Sequence, residues 1–224
     1  MGKRLILTIV CVVVLSMTAQ AKDITIGSSF DKRVDTALTG GTVSTKAHPL
    51  WELMKYRDTV LLTKAPMAWC GFSGYLAVQQ HVKVDVRNNQ SSLIIDANLK
   101  ALLADEAEYN KKFASDYAVT GKTVKEKIRQ IYRYCKATVY TAHTKTARDV
   151  FSKRQGDCSG IASAFYVLCK ANGIPVKFVI GWTKTGCHAW NRVQWSKRWW
   201  WIDACNGNWM NEEQFYGRKV MEIW

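Results

Sequence analysis

Arg154-Gln-Gly-Asp-Cys158-Ser-Gly-Ile-Ala-Ser-Ala-Phe165 reads as a helix start with a thiol in its first turn. Gly156 and Asp157 interrupt the preceding chain, and Ile161, Ala164, Phe165, Leu168 and Cys169 recur on one helical face. Asn172-Gly173 supplies the stop, so the pattern predicts a helix over residues 158–171. At such a position the free backbone N–H groups and the positive end of the helix dipole favour thiolate over thiol. The same N–H groups can receive the oxyanion of a tetrahedral intermediate, each well-placed donor being worth roughly 3 kcal/mol. A lone cysteine is more often a small buried hydrophobe. The first-turn position after Gly-Asp separates Cys158 from Cys169, which falls on the apolar stripe.

Beyond the helix the period changes from helical to alternating. Pro175 introduces a strand over 176–182, Thr183 to Gly186 reads as a loop, and strands over 187–195 and 198–204 flank Ser196-Lys197. If those two residues form the turn, Trp195 pairs with Arg198, Trp190 falls opposite Asp203, and His188 falls opposite Cys205. His188, Trp190, Asp203 and Cys205 then share one face, with Asp203 the diagonal neighbour of His188. A thiol, an imidazole and a carboxylate are the groups that nucleophilic acyl transfer uses, the carboxylate holding the imidazole in its useful tautomer. Cys187 would point to the opposite face, so this register conflicts with a Cys187–Cys205 disulfide. Of Trp199, Trp200 and Trp201, alternation sends the middle one to the face opposite its neighbours, which suits core or cleft wall better than a flat sugar platform.

A helix followed by an antiparallel meander indicates an α+β domain. Upstream, Thr123-Val-Lys-Glu126 is a capping box opening a helix whose apolar face is Ile128, Ile131, Tyr132 and Cys135. Val139-Tyr140 then leads to a short helical turn near Ala147 to Phe151. Further back, 81–87 alternates as a strand, Asp96 to Phe113 has helical spacing, and Ser28 to Ala47 reads as irregular or weakly extended.

The chain has 224 residues and a formal charge of +14. Lys3 and Arg4, the apolar stretch Leu5 to Met17 and Ala19-Gln20-Ala21 have the layout of a secretory signal with cleavage after Ala21. The apolar stretch is too short for a hydrocarbon layer, which takes roughly 20 residues. The expected organisation is a signal over 1–21, an N-terminal extension over 22–120 and the domain that carries the chemistry over 121–224. Six cysteines follow Ala21, and zero to two disulfides are expected, since a free Cys158 leaves an odd number to pair. No Cys-x-x-Cys or His-x-x-x-His pair occurs, so no metal or other cofactor is expected. His48, His81 and His143 lack a comparable partner and read as surface or structural.

Around these residues the sequence resembles the transglutaminase-like superfamily of thiol enzymes. The resemblance runs from about Val124 to Asn208. It rests on Arg154-x-Gly-x-Cys158, the following alanine-bearing helix, Asn172-Gly-Ile-Pro-Val, His188-Ala-Trp-Asn and Trp-Trp-x-Asp203, in that order. It implies a papain-like α+β core with the cysteine at a helix N-terminus packed on an antiparallel sheet. It also implies Cys158 as nucleophile, His188 as base and Asp203 as its orienter, in a superfamily spread over cross-linking, deamidation, peptide hydrolysis and de-glycosylation. Tyr140 stands where relatives often carry an aromatic, and with Trp190 it is expected at the oxyanion site or cleft. Calcium-dependent cross-linking is not carried over, because the chain shows neither the calcium sites nor the further barrel domains of classical animal transglutaminases.

The expectation is an exported cysteine peptidase, amidase or transamidase working through a Cys158 thioester, with hydrolysis favoured over deamidation or cross-linking. Its partners would be peptide or protein substrates, with an anionic wall or extracellular polymer as a further candidate for so basic a chain. No nucleic-acid module is recognisable, and no membrane contact is expected after signal cleavage. The alternatives are a non-catalytic binding module on the same scaffold and a cell-wall peptide thiol hydrolase of another family.

Overall fold

The structure, a computed structural model, describes residues 41–46, 54, 69–88, 90–183, 186–211 and 220–222. The proposed signal over 1–21 lies outside them, as does His48. Among the described residues fifteen elements follow one another: β1 (Gly41–Lys46), α1 (Gly71–His81), β2 (Val82–Arg87), β3 (Gln90–Ile95), α2 (Leu99–Asp116), α3 (Val124–Lys136), β4 (Val139–Tyr140), α4 (Ala147–Lys153), β5 (Gln155–Gly156), α5 (Cys158–Ala171), β6 (Val176–Thr183), β7 (Gly186–Trp195), β8 (Arg198–Asp203), β9 (Asn208–Asn211) and β10 (Val220–Glu222). The class is α+β, as the sequence indicates. Among the described residues no helix is long and apolar enough to cross a membrane.

The centre is α5. Every residue from Gly160 to Cys169 is buried, so this helix has no solvent face along that run. Helices cover part of it and a five-stranded antiparallel sheet, ordered β10-β6-β7-β8-β9, covers the rest. The sheet offers Phe178, Ala189, Val193, Trp195 and Ile202 to the same core. Burying every side of a helix stabilises the fold only when its side chains are small or apolar all round, and Gly-Ile-Ala-Ser-Ala-Phe meets that condition.

The β7–β8 register is the one read from the turn. Trp195 faces Arg198 and Asn191 faces Ile202. Ser196 and Lys197 have φ of 50° and 62°, the left-handed pair that a two-residue hairpin turn requires for its twist to match the strands. The capping box on α3 is also present, with Glu126 N–H donating to Thr123 Oγ1 at 3.2 Å and Thr123 N–H donating to Glu126 Oε2 at 3.0 Å. Ile128, Ile131 and Cys135 are fully buried on its inner face.

Some boundaries move. The helix expected over 96–113 runs from Leu99 to Asp116, because Asn98 N–H donates to Asp96 Oδ1 at 2.8 Å and this local turn delays the helix by one turn. His81 closes α1 rather than opening a strand, and pairs with Asp96 at 3.2 Å. Cys205 lies past the end of β8, in the turn that leads to β9.

Segments on both sides of residue 120 share one core. Phe72 stacks on Phe178 with centroids 5.8 Å apart, and its N–H donates to Ser163 Oγ of α5 at 2.9 Å. Gly71 makes this approach possible: its φ is +53°, and a Cβ there would lie 2.9 Å from the same hydroxyl oxygen. Leu99, Leu103 and Ala107 of α2 belong to the cluster that contains Val150, Phe165 and Leu168.

Candidate active site

Asp157 caps α5, and its side chain sets what the helix start can offer. Its Oδ1 accepts from Ser159 N–H at 2.9 Å and from Gly160 N–H at 3.1 Å. The sequence suggests a first turn of free donors; two of them are used by the cap. Burial raises the Asp157 carboxyl above its usual range, against the pull of those two donors and of Lys145 and His143. Cys158, the first helical residue, is half-buried.

The segment 141–146 lies across this helix start. Asp157 N–H donates to Thr144 O at 2.8 Å. A Cβ on Gly160 would sit 2.5 Å from that carbonyl oxygen, so only glycine allows the loop this close. Arg154 is structural: its left-handed backbone (φ 56°) ends α4, its guanidinium lies 3.8 Å from the Tyr134 ring centroid, and Nη2 donates to Tyr134 O at 2.6 Å. These contacts hold β5, and with it the approach to Cys158, against α3.

His188 and Asp203 meet across the hairpin, with His188 Nε2 2.8 Å from Asp203 Oδ2. The carboxylate side chain is 2 % exposed and the imidazole 11 %. Burial alone would push the imidazole pKa down; hydrogen bonds and charge from Asp203 and Cys158 overcome it and hold the group at about 9. Burial works to raise the Asp203 carboxyl, but His188 and two hydrogen bonds from Asn206 win and hold it below its usual value. The ring is backed by Trp190, stacked at 5.7 Å. Trp190 is itself buried, 2 % exposed, so it supports the imidazole rather than forming an open cleft wall. Behind it lie Val179 and Trp201, a second small cluster on the sheet face away from α5.

Asn191, from the same strand, ties the sheet to the nucleophile's helix. It is 1 % exposed, and its Nδ2 donates to Ala162 O at 3.1 Å. Tyr140 is 61 % exposed, with its phenol within electrostatic range of Cys158, Asp157 and Cys205; burial first, then those groups, raises its pKa. Cys205 is a second half-buried thiol in this neighbourhood. Burial, then the charges of Asp203, Cys158 and Asp157, push it to about 12, so it stays protonated at neutral pH. Cys187 is exposed, and Cys135, Cys158, Cys169 and Cys205 carry free thiols. Among the described residues no group of three or more His, Cys, Asp or Glu side chains could hold a metal ion. His143, the remaining described histidine, acts on the Asp157 carboxyl through its charge.

Two residues of this site escape a reading of the sequence. Asp157 as a side-chain cap is visible in retrospect from its place before the helix, but not its use of two donors. Asn206 lies in an irregular turn where neither helical nor strand periodicity applies.

A model of the transglutaminase-like superfamily matches residues 111–204, the segment that contains Cys158, His188 and Asp203. Over that segment the chain is similar to the transglutaminase-like superfamily. No curated protein matches the sequence. Solved structures similar to it include a proposed cysteine protease from Cytophaga hutchinsonii, 18 % identical over 51 % of this chain and 46 % of that one, with a TM-score of 0.38. LapG of Legionella pneumophila is 14 % identical over 50 % of this chain and 78 % of its own, with a TM-score of 0.41. A protein described as a TGase is 15 % identical over 61 % of this chain and 47 % of that one, with a TM-score of 0.39. The chain thus spans about half the length of the first and third of these.

Proposed function

We propose that this chain is a cysteine enzyme that attacks peptide or protein amides through a thioester on Cys158, with His188 as the proton carrier and Asp203 as its orienter. The observation that carries the reading is the buried His188–Asp203 contact at 2.8 Å, beside a half-buried thiol at a helix start. With Nε2 turned to Asp203, Nδ1 is the ring nitrogen left to exchange a proton with the sulfur. In the acylation step the sulfur bonds to the amide carbon while the ring gives its proton to the leaving nitrogen. In the second step water attacks the thioester, the ring takes its proton, and the thiol is released. An amine in place of water gives transamidation. Hydrolysis is the favoured outcome here.

Cys158 N–H remains the oxyanion donor of the first turn once Asp157 has taken the next two, and the Tyr140 phenol supplies a second. We further propose export, on the strength of the basic start, apolar stretch and Ala19-x-Ala21 at the N-terminus, and an N-terminal extension over 22–120 that precedes the catalytic region. Peptides or proteins are the partners, with an anionic extracellular polymer as a surface ligand for a chain whose charge of +14 becomes +12 once Lys3 and Arg4 leave with the signal.

The test is to incubate the protein with a peptide library, with and without a primary amine. Mass spectrometry would follow cleavage, a one-dalton deamidation shift or amine incorporation. Cleavage lost in Cys158→Ser and lowered roughly 10²- to 10⁴-fold in His188→Ala is expected. A Cys158→Ser protein equal to wild type in every channel would sink the reading and leave the binding-module alternative.

A further inference from the structure

We propose that Asn206 is a positioning residue of this site, clamping the Asp203 carboxylate in the orientation that holds His188; the role rests on the function proposed above. Both carboxylate oxygens are held from this one residue. The backbone N–H of Asn206 donates to Asp203 Oδ1 at 3.0 Å, and its Nδ2 donates to Asp203 Oδ2 at 2.9 Å. The oxygen that receives the amide is the one that receives the imidazole, and Asn206 Nδ2 and His188 Nε2 are themselves 3.0 Å apart. Two nitrogens and one oxygen therefore form a closed triangle. A carboxylate oxygen has lone pairs for both donors, so the geometry is satisfied when Nε2 carries its hydrogen toward Oδ2 and the amide donates beside it.

The clamp sits on the solvent side. Asp203 is 2 % exposed, whereas Asn206 is exposed. The amide thus occupies the place from which water would otherwise reach the Asp203–His188 bond. The turn that puts it there is closed by Gly207 at φ +77°, against which the Lys136 side chain packs. An Asx-type arrangement alone would need only the backbone N–H to Oδ1. The second bond, to the oxygen shared with histidine, is what distinguishes positioning from turn formation.

The consequence is a pH effect. Donors to the charged form of a carboxylate favour that form. Without the Asn206 amide, Asp203 takes a proton at higher pH, and a neutral Asp203 no longer supports the imidazolium beside the sulfur. The measurement needs no substrate: iodoacetamide alkylation of Cys158, read by peptide mass mapping from about pH 4 to 9, in wild type, Asn206→Ala, Asn206→Asp and His188→Ala. Asn206→Ala should move the acid limb of the rate profile up by about half a unit, about three-fold in rate on the acid side. Asn206→Asp, which turns a donor into a second negative oxygen, should move it further. With any cleaved peptide, Asn206→Ala should lower kcat and leave KM unchanged. Profiles of Asn206→Ala and wild type that superimpose overturn the proposal. So does a uniform loss at every pH, the mark of a merely structural residue. A wild-type profile that His188→Ala leaves unaltered removes both this role and the thiol–imidazole reading, and is seen without reference to Asn206.

Discussion

Asn191 donates its side-chain amide to Ala162 O, 3.1 Å away, and so joins the strand that carries His188 to the helix that begins at Cys158. Ala162 lies one turn into α5 and Asn191 three residues beyond His188. The contact therefore fixes the distance between ring and sulfur from the inside of the fold, where neither partner can be replaced by water.

Asn191→Ala should cost about 1–3 kcal/mol of stability, the range for a lost buried hydrogen bond that leaves its partner under-satisfied. A displacement of about 1 Å between reacting groups costs roughly 10²-fold in rate. Activity should therefore fall by a larger factor than stability alone explains, in kcat rather than KM. Asn191→Asp, which sets an oxygen against the Ala162 carbonyl, should be worse than alanine. Urea unfolding and steady-state kinetics on the same preparations check both.

The His188–Asp203 pair makes stability depend on pH in a definite sense. The imidazole is raised to about 9 in the folded state, so its contribution is fully present below the ordinary histidine value of about 6.5 and is lost as pH climbs through about 9. Asp203 is lowered, so its contribution is present above the ordinary carboxylate value of about 4 and disappears as pH falls through the folded value. The pair should stabilise most between about pH 4 and 6.5. In thermal unfolding, the gap between wild type and Asp203→Asn should be widest in that window and narrow toward pH 9. A gap that widens toward pH 9 would refute the assignment.

How much of this could be read from the chain depends on whether local spacing or distant packing decides. The Ser196-Lys197 turn sets the hairpin register through two backbone angles, so the meeting of His188 and Asp203 followed from counting residues. The extent of α5 followed from its apolar spacing and the Asn172-Gly173 stop. What sequence spacing does not carry is competition for backbone donors. Asp157 takes Ser159 N–H and Gly160 N–H, which turns an apparently open anion site into a nearly filled one. Nor does it carry contacts such as Phe72 to Ser163, 91 residues apart, through which the first helix joins the core of the later segment. Asn206 lies beyond both kinds of reasoning, because its position comes from a turn and its partners from two different strands.

Gly160 tests whether the loop over the helix start matters to the chemistry. A Cβ there would stand 2.5 Å from Thr144 O, 3.3 Å from Thr146 O and 3.4 Å from Lys145 C. All three atoms are backbone, so none can swing aside as a flexible side chain would. Gly160→Ala gains helix propensity, about 1 kcal/mol in an unobstructed helix. Overpacking against a fixed partner costs roughly 1–3 kcal/mol and forces a backbone shift. The clash should win, giving a lower Tm, where the same substitution in an open helix would raise it. The shift falls on Thr144, whose carbonyl accepts from Asp157 N–H, and hence on the residue next to the sulfur. Activity should drop well beyond the fraction unfolded, and Cys158 alkylation by iodoacetamide should change in rate while that of the exposed Cys187 does not. A Gly160→Ala protein more stable than wild type and equally active would mean that the loop does not press on the helix start at all.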